Sequence, residues 1–205
     1  MTNSIEKKPK SKNYYQEGIP ESVDVIHWRL RVTGMVNNPL SLSYDEIMQL
    51  PQVEQDRRMV CVCLWSIRRK WKGVLLSSVL ELAGVREKGL YLRQASIGTP
   101  EKGVYTSTIP LDPALERDAL LCHSVDGAPL PLEQGYPLRL IDFGLYGYKS
   151  VKGLRTLEVT DKYELGLWEA RSNYGLDGTI LPKVYWVVDL HANRFVDKPG
   201  EVTAF

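Results

Sequence analysis

Apolar and basic residues alternate over residues 28–32 (WRLRV), the period-2 pattern of a half-buried strand. Gly34 ends that run, and the Asn37-Asn38-Pro39 cluster makes a turn. Ser43 and Glu46 stand in capping-box register ahead of Ile47 and Leu50, which predicts a short helix closing before Pro51. Residues 57–62 read as a further strand, leading to Trp65 and then to Trp71-Lys72-Gly73. Ser78 with Glu81 repeats the capping-box spacing on a second short helix ending near Gly84. Strands follow over residues 90–96, 106–109, 119–125, 138–141, 154–160 and 184–190, and Asp126-Gly127 ahead of Leu130 signals a hairpin turn. Helices are short and show no βαβ rhythm, so the expected fold is α+β: one domain of mixed or antiparallel β-sheets with short helices. The polar, Lys-rich stretch 1–12 (MTNSIEKKPKSK) is expected to be a disordered basic arm, with the domain running over 13–205.

Composition narrows the possibilities. A chain of 205 residues can bury one sizeable core. Its 26 Lys+Arg against 25 Asp+Glu leave +1, which argues against a nucleic-acid partner. No apolar run approaches the roughly 18 residues of a membrane span. The N-terminus has lysines but no apolar stretch of a secretory signal, so the chain as written is expected in the cytoplasm. Removal of a leader would place it in the periplasm or outside the cell. Five Trp and eleven Tyr supply aromatic surface with polar handles, suited to lining a pocket as well as filling a core.

No G-x-S-x-G, H-E-x-x-H, P-loop or G-x-G-x-x-G occurs, and His27, His123 and His191 sit in unrelated contexts. Three cysteines make no disulfide framework. Cys61 and Cys63 share a face if the strand runs straight through them; a bend or bulge would part them. Together with Cys122 and His123 they form a formal Cys3His zinc set, although the C-x-C spacing is a poor match to a zinc knuckle. The remaining alternative is that all three cysteines pack as small apolar residues.

Residues 60–76 (VCVCLWSIRRKWKGVLL) resemble the signature of the sulfite oxidase family of molybdopterin domains. Further matches keep order and spacing over about residues 28–170. They comprise the 28–34 strand with Pro39 and Leu50-Pro51, Gly127-Ala128-Pro129-Leu130, Gly135-Tyr136-Pro137-Leu138-Arg139, the 146–152 run YGYKSVK, and Leu167-Trp168-Glu169. The Leu64-Trp65-Ser66 pattern is similar to the branch of bacterial methionine sulfoxide reductase catalytic subunits. The resemblance implies a molybdenum oxidoreductase that transfers an oxygen atom on a small substrate, with S- or N-oxide reduction favoured over sulfite oxidation. It implies molybdenum held by one pterin dithiolene and the Cys61 thiolate. Arg139, Ser150, Val151 and Lys152 would bind the pterin phosphate through cations, backbone amides and a hydroxyl. Ser96, Gln134, Asn13 and Tyr15 would make further cofactor contacts.

Electrons would be exchanged with an external carrier, a haem protein or a quinone-linked subunit, since no C-x-x-C-H haem motif is present. Two departures from the family pattern stand out: Asp142 brings a carboxylate towards the pocket, and Gly153 replaces a frequent Trp. The basic run Arg68-Arg69-Lys70 could attract an anion but is expected to be a solvated loop. A non-catalytic molybdopterin-binding domain remains the alternative from another class.

Overall fold

The expected alternation appears in β1 (Arg29–Gly34), where Leu30 and Val32 are fully buried and Arg31 faces solvent. In this computed structural model residues 18–172, 174–197 and 200–203 are described; Asn13, Tyr15 and the 1–12 arm lie outside them. β2 (Leu40–Ser43) pairs antiparallel with β1 and leads into α1 (Tyr44–Gln49). The capping box forms as predicted. Glu46 N–H donates to Ser43 Oγ at 3.2 Å, and Ser43 N–H donates to Glu46 Oε2 at 2.7 Å.

β3 (Gln52–Cys61) and β4 (Trp65–Leu75) make a long antiparallel hairpin, paired from Gln52/Val74 up to Cys61/Trp65. The Arg68-Arg69-Lys70 run is therefore strand, not loop. α2 (Leu76–Ala83) starts earlier than the Ser78/Glu81 spacing predicted, and Leu75 caps it with no side-chain bond. Burial of Leu76, Val79, Leu80 and Ala83 decides the boundary: one more apolar turn inside outweighs one hydrogen bond.

The chain continues through β5 (Tyr91–Ser96), β6 (Thr106–Pro110), α3 (Leu111–Glu116) and β7 (Leu120–Val125). β8 (Ala128–Pro129) follows the Asp126-Gly127 turn, and β9 (Arg139–Ile141) pairs with β7. β10 (Leu154–Thr160), α4 (Leu167–Ser172), β11 (Lys183–Val187) and β12 (Ala192–Val196) complete the order. Residues 188–190, expected as strand, form a 3-10 turn instead.

Among the described residues one five-stranded sheet runs β2-β1-β10-β5-β6, with β1 and β10 parallel. The seven-stranded sheet runs β12-β11-β4-β7-β8, with β3 added on β4 and β9 on β7. The mixed-sheet, short-helix α+β fold is thus as expected. The main core is built from β1, β5, β10 and α2 residues such as Leu30, Leu92, Leu157 and Leu80. The connection from β9 to β10 passes from one sheet to the other, and the candidate site lies along it.

Gly73 lets β4 and β7 approach: a Cβ there would lie 2.1 Å from Leu121 O, where the register shifts between Lys72 and Gly73. Gly73→Ala should cost roughly 1–3 kcal/mol, read as a lower midpoint in denaturant unfolding.

A buried Arg58 pins the end of β11 to this hairpin. Its Nη1 and Nη2 donate to Asp189 Oδ1 and Oδ2 at 2.7 and 2.8 Å, and Arg68 N–H adds a bond to Oδ1 at 3.0 Å. Burial alone would raise the Asp189 carboxyl. The Arg58 and Arg68 donors and the Arg58 charge outweigh it, so the pKa falls below the ordinary 3.8. Stability from this pair is fully present above 3.8 and is lost as pH falls through the lower folded value. Asp189→Asn should flatten the stability–pH curve below about pH 4, measured by urea unfolding across that range.

Candidate active site

Cys61 ends β3, and residues 62–64 form the loop of the hairpin. Leu64 N–H donates to Cys61 O at 3.1 Å, and Leu64 adopts a left-handed φ of 64°. That is the geometry of a three-residue hairpin loop, and it costs a non-glycine residue about 1–2 kcal/mol. Trp186 N–H on β11 holds the loop by donating to Leu64 O at 2.9 Å.

The turn resolves the alternatives for the cysteines. Cys61 is half-buried and Cys63 exposed, with Cys63 N–H directed at Cys61 Sγ at 3.5 Å. Burial pushes the Cys61 thiol up to about 12, partly offset by the Cys63 amide and by the positive charge of Lys152. Cys122 is buried on β7, pushed up to about 11 by burial, and donates to Ser124 O at 3.2 Å. The His123 ring nitrogens are taken by Ser124 Oγ at 2.7 Å and Gln52 Oε1 at 2.8 Å. Among the described residues no group of three or more His, Cys, Asp or Glu could hold a metal ion, so the Cys3His zinc set is overturned.

A cationic side stands beside the thiol. Arg139 on β9 is buried; it donates to Gln134 O at 3.1 Å and reaches Met59 Sδ, two residues before Cys61, at 3.6 Å. Gln134 closes a 3-10 turn (Leu132–Gln134) followed by Gly135 at φ +109°. A Cβ at Gly135 would lie 2.9 Å from Lys152 Cβ, so glycine lets this turn press on the Lys152 backbone. Gly153 N–H locks the contact by donating to Gly135 O at 3.2 Å, and Lys152 Nζ donates to Glu133 O at 3.1 Å.

Ser150 and Val151 precede Lys152 on the same connection. Val151 N–H donates to Gln94 Oε1 at 3.3 Å, and Leu140 N–H donates to Val151 O at 3.2 Å. The Ser150 hydroxyl is buried and has no partner. Ser96, at the end of β5, accepts Tyr105 N–H on its Oγ at 2.9 Å, while Ile97 N–H donates to Gly153 O at 2.7 Å. The fold thus gathers Ser96, Gln134, Arg139, Ser150, Val151 and Lys152 about one connection, with Cys61 beside it. Asn13 and Tyr15 lie outside the described residues.

On its outer side the thiol turn borders a cleft of about 320 Å³ lined by Val62, Tyr146, Tyr148, Tyr174, Asp177 and Lys183, among others. The rings form a continuous wall: Tyr146 and Tyr148 stack at 6.3 Å, Tyr148 meets Tyr174 at 5.1 Å, and Tyr174 stacks on Trp168 at 5.5 Å. Burial and then the Cys63 and Cys61 sulfurs push the Tyr174 phenol up, which sets that ring beside the thiols.

The wall is braced from behind by Lys149, whose Nζ donates to Glu169 Oε1, to Tyr163 OH at 2.7 Å and to Thr108 O at 3.1 Å. Both partners of that ion pair are fully buried in their side chains. Asp142, expected near the pocket, is instead taken by Arg117 in a two-point pair at 2.8 and 2.6 Å. The basic run is likewise engaged: Arg68 with Asp56 and Glu201, and Arg69 with Asp126. Sequence reasoning missed Tyr174, Asp177, Lys183 and the bracing role of Lys149 with Glu169. For the first three the local hint was a Gly- and Asp-containing stretch after α4; Lys149 and Glu169 stood in runs already marked by the resemblance, but not as a pair.

A half-buried soft sulfur beside two cations and a partnerless buried hydroxyl is a donor set suited to a thiolate-bound metal and an anionic group. Residues 16–168 match the family described as the oxidoreductase molybdopterin binding domain, and the chain belongs to that family. It is an oxidoreductase whose family cofactor is molybdenum with molybdopterin.

The chain is 35% identical over 161 residues to an uncharacterized oxidoreductase YuiH of Bacillus subtilis, covering 78% of each. It is 35% identical to a putative protein-methionine-sulfoxide reductase subunit YedZ1 of Azospira oryzae, covering 76% of this chain and 58% of the relative. It is 27% identical to the protein-methionine-sulfoxide reductase catalytic subunit MsrP of Gluconobacter oxydans, covering 84% and 62%. Its fold is similar to that of the sulfane dehydrogenase SoxCD of Paracoccus pantotrophus, with TM-score 0.66, 22% identity and coverage of 76% and 43%. This chain thus spans about three-fifths of the two reductase subunits. No helix among the described residues is long and apolar enough to cross a membrane.

Proposed function

We propose that residues 13–205 form one catalytic domain that reduces a small S- or N-oxide, with Cys61 as the protein ligand to molybdenum. The observation that carries this reading is the position of Cys61 between two unlike surfaces. One is the buried cationic side formed by Arg139 and Lys152; the other is the aromatic cleft. When bound, the molybdenum–molybdopterin group supplies two-electron oxygen-atom transfer chemistry.

Arg139 and Lys152 would take the pterin phosphate, and the Ser150 hydroxyl and the Val151 segment would complete its cradle. Gln134 and Ser96 would orient the ring system, with Asn13 and Tyr15 contributing from the N-terminal side. The cleft's described lining holds tyrosines, one carboxylate and one lysine but no arginine. Such walls favour a neutral, polarisable guest over a dianion such as sulfite. An external one-electron carrier, a haem protein or a quinone-linked subunit, would deliver electrons.

A dye-linked assay of the cofactor-loaded chain against sulfoxides, N-oxides and sulfite tests this reading. Turnover of a sulfoxide or N-oxide supports it, and turnover of sulfite alone overturns it. Arg139→Ala should weaken pterin retention by roughly ten- to a hundredfold, as expected for losing one charged hydrogen-bonding partner. Fluorescence of the released, oxidised pterin after gel filtration measures it.

A further inference from the structure

The turn that carries Cys61 holds a second thiol for which the proposed reaction has no use. Cys63 is exposed, whereas Cys61 is half-buried at the foot of the same loop. The Leu64 N–H to Cys61 O bond folds residues 61–64 back on themselves and shortens the path between the two side chains relative to a strand. Cys63 N–H points at Cys61 Sγ at 3.5 Å, so the backbone that carries the second thiol is already in contact with the first sulfur. Cys122 is excluded from this pair by its place on β7, buried in a cluster with Leu120, Ile141 and Phe143.

We propose that Cys61 and Cys63 form a reversible disulfide in the cofactor-free chain, so that Cys63 is a redox modification site that blocks metal loading. The second half rests on the reading of Cys61 as the metal ligand, since a disulfide sulfur is no longer the thiolate that a metal needs.

The oxidant is a low-molecular-weight disulfide such as glutathione disulfide, and the chemistry is thiol–disulfide exchange. The exposed Cys63 thiolate attacks one sulfur of the oxidant. The oxidant's S–S bond breaks, one thiol leaves, and a mixed disulfide forms on Cys63. The Cys61 sulfur then attacks the Cys63 sulfur as its proton passes to the departing glutathione thiolate, the mixed disulfide breaks, the second thiol leaves, and the Cys61–Cys63 bond forms. The two cysteines lose two electrons and two protons, and the oxidant gains both as two thiols. A chain already loaded would resist, because its Cys61 sulfur is engaged.

The test uses the full cofactor-free chain and its Cys63→Ser variant, each treated with glutathione disulfide. Titratable thiols in the wild type should fall from three to one, with the chain about 2 Da lighter and peptide mapping joining Cys61 to Cys63. Dithiothreitol should restore all three thiols. Oxidised wild type should take up at least tenfold less molybdopterin than reduced wild type, while Cys63→Ser should load equally before and after treatment. Three remaining thiols, a bond mapped to Cys122, or equal uptake by oxidised and reduced wild type would overturn the proposal. Failure of the ligand reading looks different: the Cys61–Cys63 bond forms, yet Cys61→Ser still retains molybdenum.

Discussion

Cys61→Ala is expected to lower molybdenum content from near one per chain to background and to reduce oxide-reductase turnover to that of cofactor-free protein. Its melting temperature should move by no more than a few degrees. The contrast follows from where the residue sits. Cys61 ends a strand whose ladder bonds are made by backbone, and its sulfur is half-buried beside a cleft. Removing that sulfur leaves a void open to solvent, costing on the order of 1 kcal/mol. At about 2–4 °C per kcal/mol for a chain of this size, the fold survives. Elemental analysis and a thermal melt on the same preparation separate the two effects. Retained molybdenum, or a collapse of the fold, would remove Cys61 from the proposed role.

Lys149→Met should be the most damaging single change to stability, with Glu169→Leu close to it. The pair is fully buried, and each partner would be left as an uncompensated charge without the other. Breaking such a pair costs about 3–5 kcal/mol, which corresponds to roughly 6–20 °C in melting temperature. The double variant should recover most of the loss, because two apolar side chains replace two desolvated charges. Burial pulls the Lys149 ammonium down in pKa while Glu169 holds it up, so the lysine depends on its partner for its charge. The pair also links α4 to the turn that carries Tyr148 and leads into Ser150. Pterin retention should therefore fall in the single variants and return in the double one. A double-mutant cycle with a coupling below about 0.5 kcal/mol would contradict this view of the brace.

Where local chemistry decides structure, the sequence was readable. The alternation around Leu30 and Val32, the Ser43/Glu46 box and the Asp126-Gly127 turn all stand where pattern placed them. Tertiary packing decided the rest. β4 escaped notice because three basic residues interrupt its apolar pattern, yet the β3 ladder and ion pairs with Asp56, Glu201 and Asp126 hold it. β2, α3 and α4 have four to six residues each, too few to show a period. β12 was also missed; it exists by pairing with β11.

The site divides along the same line. The family resemblance marked Cys61, Arg139, Ser150 and Lys152, but the contacts that bring them together, Arg139 to Met59 and Gly135 to Lys152, span distant segments. The turn that leaves Cys61 half-buried and Cys63 exposed depended on one left-handed leucine, a conformation no residue pattern announced. Asp142 was misplaced because its partner, Arg117, lies on a separate element that periodicity could not bring near.

X-ray absorption at the molybdenum edge of the loaded chain tests the central claim most directly. The account predicts one more sulfur neighbour around the metal in the wild type than in any molybdenum that Cys61→Ser retains. An unchanged sulfur shell in the two proteins would mean that the metal is held by something other than this thiol.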